Sequence, residues 1–236
     1  MFTEEQLEDM TLNIFENLGY ERLNGYNIDR DFHSVFMDNN LFDDISNINR
    51  NFNDAQINDA IKTIKNLSHG NPVEDNKTFT RYLLEGVPVE VKTSNGYQYK
   101  NVKLIDFQNI NNNHFQAVNQ FSIIDRDSKR PDIIIFINGI PLVVIELKTA
   151  TNEDVKLEDA YNQLMGYKNV SIPTLFKYNQ FLVISDGVTA KAGTITSTYS
   201  RFSDWKKIEE NDEVYENMPT HETLFNGMFR KDRLLD

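Results

Sequence analysis

Apolar positions follow two regimes along this chain: helical spacing before residue 70, and strand-like runs from residue 87 onward. In the first segment Leu7, Met10, Ile14 and Leu18 recur at three- and four-residue intervals, the period of one helical face. Thr3 and Gln6 have the spacing of a capping box, Phe2 lies just outside it, and Gly19 is placed to stop the helix. Residues 20–51 are mixed and polar and show no period. A second helix is predicted over about 54–67, where Ile57, Ala60, Ile61, Ile64 and Leu67 share a face and SHGNP ends it.

The later runs VPVEVKT, YQYKNVKLIDF and FQAVNQFSII are rich in β-branched and aromatic residues and read as strands, with SNG at 94–96 as a hairpin turn. DIIIFI and LVVIEL follow, joined by the tight NGIP, and their continuous apolar character predicts strands buried on both faces. Asn152 is placed to cap a helix of about 153–169. QFLVISDG is another buried strand, with VTAKAGTIT as its hairpin partner. A charged tail begins at Arg201; Trp205 is assigned to the core, and a short amphipathic helix is expected near 221–229. The sum is an α/β fold, with an N-terminal helical lobe of about 1–70 packed on a core of 71–236. No internal repeat or low-complexity linker marks another boundary.

Composition narrows the function classes. The 236 residues include no cysteine, which excludes disulfides and thiolate metal sites. The start MFTEEQLEDM is acidic without an apolar signal core, and no run approaches the roughly 18 apolar residues of a membrane helix. A soluble, cytoplasmic protein is expected. The formal net charge of -12 argues against a protein that coats nucleic acid, because phosphate affinity comes from clustered Lys and Arg. It leaves room for a local basic groove, or for a partner that holds the nucleic acid. The histidines at 33, 69, 114 and 221 show no metal spacing.

The stretch RPDIIIFINGIPLVVIELKTA carries the chemistry. Asp132 begins one apolar strand, and Glu146 and Lys148 lie near the end of the next. A tight turn at residues 138–141 makes the pair antiparallel and brings Asp132 beside Glu146. Side chains alternate along a strand, so Glu146 and Lys148 share a face. Neighbouring carboxylates repel unless something positive lies between them, and hard oxygen ligands select Mg²⁺ or a similar ion. A lysine there can orient or deprotonate a water, or steady charge developing on phosphorus. The plainer alternatives are a solvated strand end for each acid and a same-face salt bridge for Glu-x-Lys.

In detail the stretch resembles the PD-(D/E)xK motif of the N-terminal nuclease domain of the restriction (R) subunit of type I restriction–modification enzymes. The shared phrase runs from NQFSII through RPDIIIFINGIPLVVIELK into EDAYNQLMGYK. SDG at 185–187, RFSDWK at 201–206 and the first helix EDMTLNIFENLGY are also similar, so the resemblance covers most of the chain and is densest from about 115 to 206. It implies a restriction-endonuclease-like core, with a central mixed β-sheet flanked by helices. It implies Asp132 and Glu146 as metal ligands, the Leu147 carbonyl as a further ligand, and Lys148 as the catalytic lysine. Glu8 matches a first-helix acid that supports the metal through water, a role for which Glu4, Glu5 and Glu16 compete. Gln163 and Tyr167 match the Gln-x-x-x-Tyr pair of the family. At i and i+4 they share a helical face, where a half-buried Tyr with an incidental Gln is the alternative. Arg126, Lys129 and Arg130 are placed to meet a phosphate backbone, or to form a solvated loop.

The implied reaction is Mg²⁺-dependent hydrolysis of double-stranded DNA, with Mn²⁺ able to substitute. The family's ATP-consuming motor needs a G-x-x-x-x-G-K-S/T phosphate loop, which this sequence lacks. A piece of a longer subunit is therefore expected, with ATP used only by the missing motor. Expected partners are DNA, that motor, and the methylation and specificity subunits, with no membrane. Two rivals remain: a PD-(D/E)xK nuclease of another defence or repair system, and a non-catalytic docking domain.

Overall fold

The computed structural model describes residues 3–94, 96–149, 157–209, 211–214 and 218–236. Helix α1 (Glu4–Asn17) begins at the expected capping box: Thr3 Oγ1 accepts from the Gln6 N–H, and Gln6 Oε1 accepts from the Thr3 N–H. Gly19 follows it at φ +82°. The buried face of α1 is rotated from the expected one. Leu7, Glu8, Thr11, Leu12 and Phe15 are buried, while Met10 is 37% exposed. Phe15 decides the rotation, because its ring makes edge contacts with Tyr20, Phe225 and Phe229, a larger apolar burial than Met10 offers.

Strand β1 (Glu21–Asn24) and helices α2 (Asp38–Ile48), α3 (Asp54–Lys65) and α4 (Pro72–Glu85) follow. Helix α3 buries the expected face, with Ile57, Ala60, Ile61 and Ile64 inward. β1, α2 and α4 fall where the sequence showed no period or a stop. In α2 the buried residues are Leu41 and Ile45, a stripe too thin to show against Asp and Asn. The SHGNP stop of α3 is also the start of α4. Asn71 accepts from the N–H groups of Val73 and Glu74, and Pro72 occupies the first turn.

Strands β2 (Val87–Thr93) and β3 (Gly96–Val102) form the expected hairpin, with Thr93 opposite Gly96; Asn95, in its turn, lies outside the described residues. Next come β4 (Phe115–Asn119), β5 (Ile123–Ile124), β6 (Ser128–Lys129), β7 (Ile133–Ile137) and β8 (Ile140–Leu147). Helix α5 is described over Leu157–Gly166 and runs into a π-helical turn at Tyr167–Ser171; the proposed cap Asn152 lies outside the described residues. Strands β9 (Phe181–Ser185) and β10 (Ala190–Gly193) pair antiparallel, as expected, and α6 (His221–Met228) and α7 (Lys231–Leu234) close the chain.

The central mixed sheet has the order β1-β4-β7-β8-β9-β10. β7 and β8 sit in its middle and every residue of both is buried. Asn138 and Gly139, at φ +51° and +75°, make the two-residue turn between them, and Leu142 is the extra residue of a bulge in β8. A Cβ on Gly139 would come within 2.9 Å of the Leu41 Cα, so α2 packs directly on this turn. β8 pairs parallel with β9, which requires a crossover, and α5 lies in that connection, packed against both strands. Trp205 corrects the core assignment: it is 37% exposed, and lies over Gly227, where a Cβ would come within 2.4 Å of its Nε1. Among the described residues no helix is long and apolar enough to cross a membrane.

Candidate active site

The β7–β8 register places Ile133 opposite Ile145. Carried one residue outward, it sets Asp132 opposite Glu146, as the sequence predicted. The Leu147 N–H donates to Asp132 Oδ2 at 2.7 Å, which holds the carboxylate against the end of β8. Lys148 continues the ladder beyond β8: its N–H donates to the Ser185 carbonyl at 2.8 Å. Its ammonium lies 3.1 Å from Glu146 Oε1 and 3.9 Å from Glu4 Oε1, with the side chain 17% exposed. Asp132, Glu146 and Lys148 thus converge at one end of the buried sheet.

The charges are not balanced. Glu146 is fully buried, and its Oε2 has no hydrogen-bond partner among the described residues. Burial, and then the charge of Asp132, push the Glu146 carboxyl well above its usual range, against the pull of Lys148. Burial also pushes Asp132 up to about 6; the Leu147 N–H and Lys148 oppose the rise, and Glu8 and Glu4 add to it. Burial draws the Lys148 ammonium down, but Glu146, Asp132 and Glu4 outweigh it and hold the lysine charged. Asp132 and Glu146 could together hold a hard divalent cation. Among the described residues no group of three or more His, Asp or Glu is arranged for a metal, so water or substrate would complete the shell.

Helix α1 brings two of the four competing acids to this end of the sheet. Glu8 is buried and accepts from Asn119 Nδ2 at 2.6 Å and from Gln120 Nε2 at 3.0 and 3.2 Å. Burial raises its pKa, despite these bonds and the charge of Arg130. Glu4 faces Lys148. Glu5 lines the adjoining cleft, and Glu16 is exposed at the other end of the helix. Asn119 and Gln120 had no role in the sequence reading, although both belong to the NQF phrase. Gln120 sits at φ +56°, a left-handed conformation that aims its amide at Glu8.

Helix α5 supplies the other wall. Gln163 Nε2 donates to the Tyr167 hydroxyl at 2.6 Å, and Tyr167 is 7% exposed. Burial, and then Glu146, raise the Tyr167 pKa, so the phenol stays protonated facing the two carboxylates. The π-helical turn that begins at Tyr167 frees the Ser171 carbonyl, which accepts from the N–H groups of Arg126 and Asp127. That bond anchors the β5–β6 hairpin, which leads to Arg130 and Asp132. Lys129 pairs with Asp127 at 2.6 Å, and Arg126 lines a separate hollow with Asp125 and Lys177; only Arg130 of the three lines the cleft beside Asp132.

Residues 1–201 match the family described as Type I restriction enzyme R protein N terminus (HSDR_N). The chain is 34% identical over its whole length to the type I restriction enzyme HindI endonuclease subunit of Haemophilus influenzae, covering 23% of that protein. It is 32% identical to the putative type I restriction enzyme MjaIXP endonuclease subunit of Methanocaldococcus jannaschii, over 98% of this chain and 24% of the other. It is 29% identical to the SauMSSORF170P endonuclease subunit of Staphylococcus aureus, over 80% of this chain and 19% of the other. The chain thus spans about a quarter or less of the length of these relatives. It belongs to the family of type I restriction enzyme R protein N termini.

Proposed function

We propose that this chain is a PD-(D/E)xK nuclease domain that hydrolyses phosphodiester bonds of double-stranded DNA with Mg²⁺, which Mn²⁺ can replace. The observation that carries it is the fully buried Oε2 of Glu146, without a hydrogen-bond partner among the described residues, beside Asp132 and Lys148. An isolated buried charge costs several kcal/mol, and two adjacent carboxylates that both resist ionisation are what a hard cation relieves. Asp132, Glu146 and the Leu147 carbonyl would hold the ion. Bound there, Mg²⁺ supplies Lewis acidity that offsets phosphate charge and acidifies a water.

The chain's own groups do the rest. Lys148, held charged by its acidic neighbours, steadies negative charge on the phosphorane-like transition state. Tyr167, oriented by Gln163, keeps its proton and presents it to the site. Glu8, fixed by Asn119 and Gln120, supports the metal's water shell from α1. The relatives are named endonuclease subunits and are four or more times longer than the stretch matched here. In that setting cutting is coupled to ATP-driven translocation, with ATP used by the motor and with methylation and specificity subunits as partners. The family match favours this over a repair nuclease. A purely docking role gives no reason for a buried Glu146 with an unmet oxygen.

In an active restriction complex, Lys148→Ala should abolish DNA cutting while leaving folding and ATP hydrolysis intact. Wild-type cutting by that variant would overturn the assignment.

A further inference from the structure

We propose that Arg130 and Tyr26 form a seat for a backbone phosphate of the DNA strand, beside the Asp132–Glu146 pair; this rests on the nuclease function proposed above. A cleft of about 910 Å³ opens from Asp132. Glu4, Glu5 and Glu8 of α1 line it together with Tyr26 and Arg130. The second arginine of the cleft, Arg22, is bound to Asp9 and Asn13. Arg130 makes no ion pair with a carboxylate among the described residues. Its guanidinium instead lies 5.2 Å from the centre of the exposed Tyr26 ring and donates from Nη1 to the Tyr26 hydroxyl. Among the described residues, this cation of an acidic cleft thus has no carboxylate within ion-pair distance, although Glu8 lies near enough to feel its charge.

The pair is held in a fixed relation to the carboxylates. Tyr26 sits in a 3-10 turn (Gly25–Asn27), and its N–H donates to Asn24 Oδ1 at 3.0 Å. Gly25 meets the Gln120 carbonyl so closely that a Cβ would come within 2.5 Å. The same Gln120 holds Glu8 through its side chain. Arg130 precedes Asp132 by two residues, across the buried Pro131. The seat and the carboxylates thus share one frame.

The donors suit a phosphodiester. The Tyr26 hydroxyl accepts from Arg130, so its own proton remains free to donate to an anion. The guanidinium keeps its remaining N–H groups for the same anion, giving charge-assisted bonds in a planar fork that lysine cannot reproduce.

The test is the affinity of a short DNA duplex for this chain against salt, by fluorescence anisotropy, in a Lys148→Ala background that leaves the strands uncut. Arg130→Ala should weaken binding about tenfold and lower the slope of log affinity against log salt by about one. Arg130→Lys should restore the slope without the full affinity, and Tyr26→Phe should keep the slope while weakening binding about threefold. An unchanged affinity and slope in Arg130→Ala overturns the seat, and so does a background chain that does not bind duplex. Mg²⁺ titration of the otherwise wild-type Arg130→Ala chain separates the two proposals. If metal still binds, a failed slope removes the seat alone; if the wild-type chain binds no metal even with duplex present, the nuclease function falls with it.

Discussion

The backbone N–H of Leu147 donates to Asp132 Oδ2 at 2.7 Å, so the carboxylate that opens β7 is tied to the residue directly after the glutamate near the end of β8. That bond stabilises the charged form of Asp132, yet burial wins and its pKa rises to about 6. A carboxyl whose folded pKa lies above its unfolded value of 3.8 contributes stability below pH 3.8, and loses it as pH rises to about 6. Without metal, Asp132→Asn should therefore be more stable than wild type at pH 7, by on the order of 3 kcal/mol. The advantage should vanish below pH 4. Urea unfolding of both proteins in chelator across that range reads the difference; a pH-independent difference would contradict it.

His221 behaves in the opposite sense. It is buried at the start of α6, with Nδ1 2.7 Å from Ser185 Oγ and Nε2 3.4 Å from Thr11 Oγ1, and so links β9 to α1 beneath the site. Burial draws its pKa down to about 4, against the charge of Asp186. The unfolded chain takes up the proton first, so stability is present above pH 6.5 and is lost as pH falls to about 4. Relative to His221→Gln, wild type should lose on the order of 3 kcal/mol over that interval. NMR titration of the His221 ring checks the same point: it should remain neutral at pH 5.5.

Gly139→Ala should destabilise the fold by about 2 to 4 kcal/mol, combining overpacking with left-handed strain. The added Cβ meets the Leu41 backbone at 2.9 Å, and α2 can yield only by breaking the Met37 N–H to Gly139 carbonyl bond. Thermal unfolding measures it; a variant within 0.5 °C of wild type would show that α2 does not pack there as described.

How much of this was legible depended on where each signal lay. The convergence of Asp132, Glu146 and Lys148 was readable in outline, because a tight turn makes the two strands antiparallel and period-2 alternation puts Glu146 and Lys148 on one face. The pairing of Asp132 with Glu146 itself was not, since it needs the Leu142 bulge, without which the turn would set Asp132 opposite Ile145. Gln163 and Tyr167 were readable for the matching helical reason. The face of α1 was not, since Phe15 chose it through the rings of Phe225 on α6 and Phe229 just after it, more than two hundred residues away. Helix α4 was hidden because Asn71–Pro72 both ends one helix region and caps the next. Tyr26 carries no motif of its own, and Gln120 lies in the NQF phrase without a role attached to it; their place follows from the close approach of Gly25 to the Gln120 carbonyl, a contact between distant segments.

The central claim, a metal between Asp132 and Glu146, is tested most directly by calorimetric titration of Mg²⁺ or Mn²⁺ into this chain and its Asp132→Ala and Glu146→Ala variants, with and without a short duplex. Binding by the wild-type chain that either substitution removes, with the variants still folded, is the expected result. Binding that survives both substitutions, or no binding even with duplex present, would contradict it.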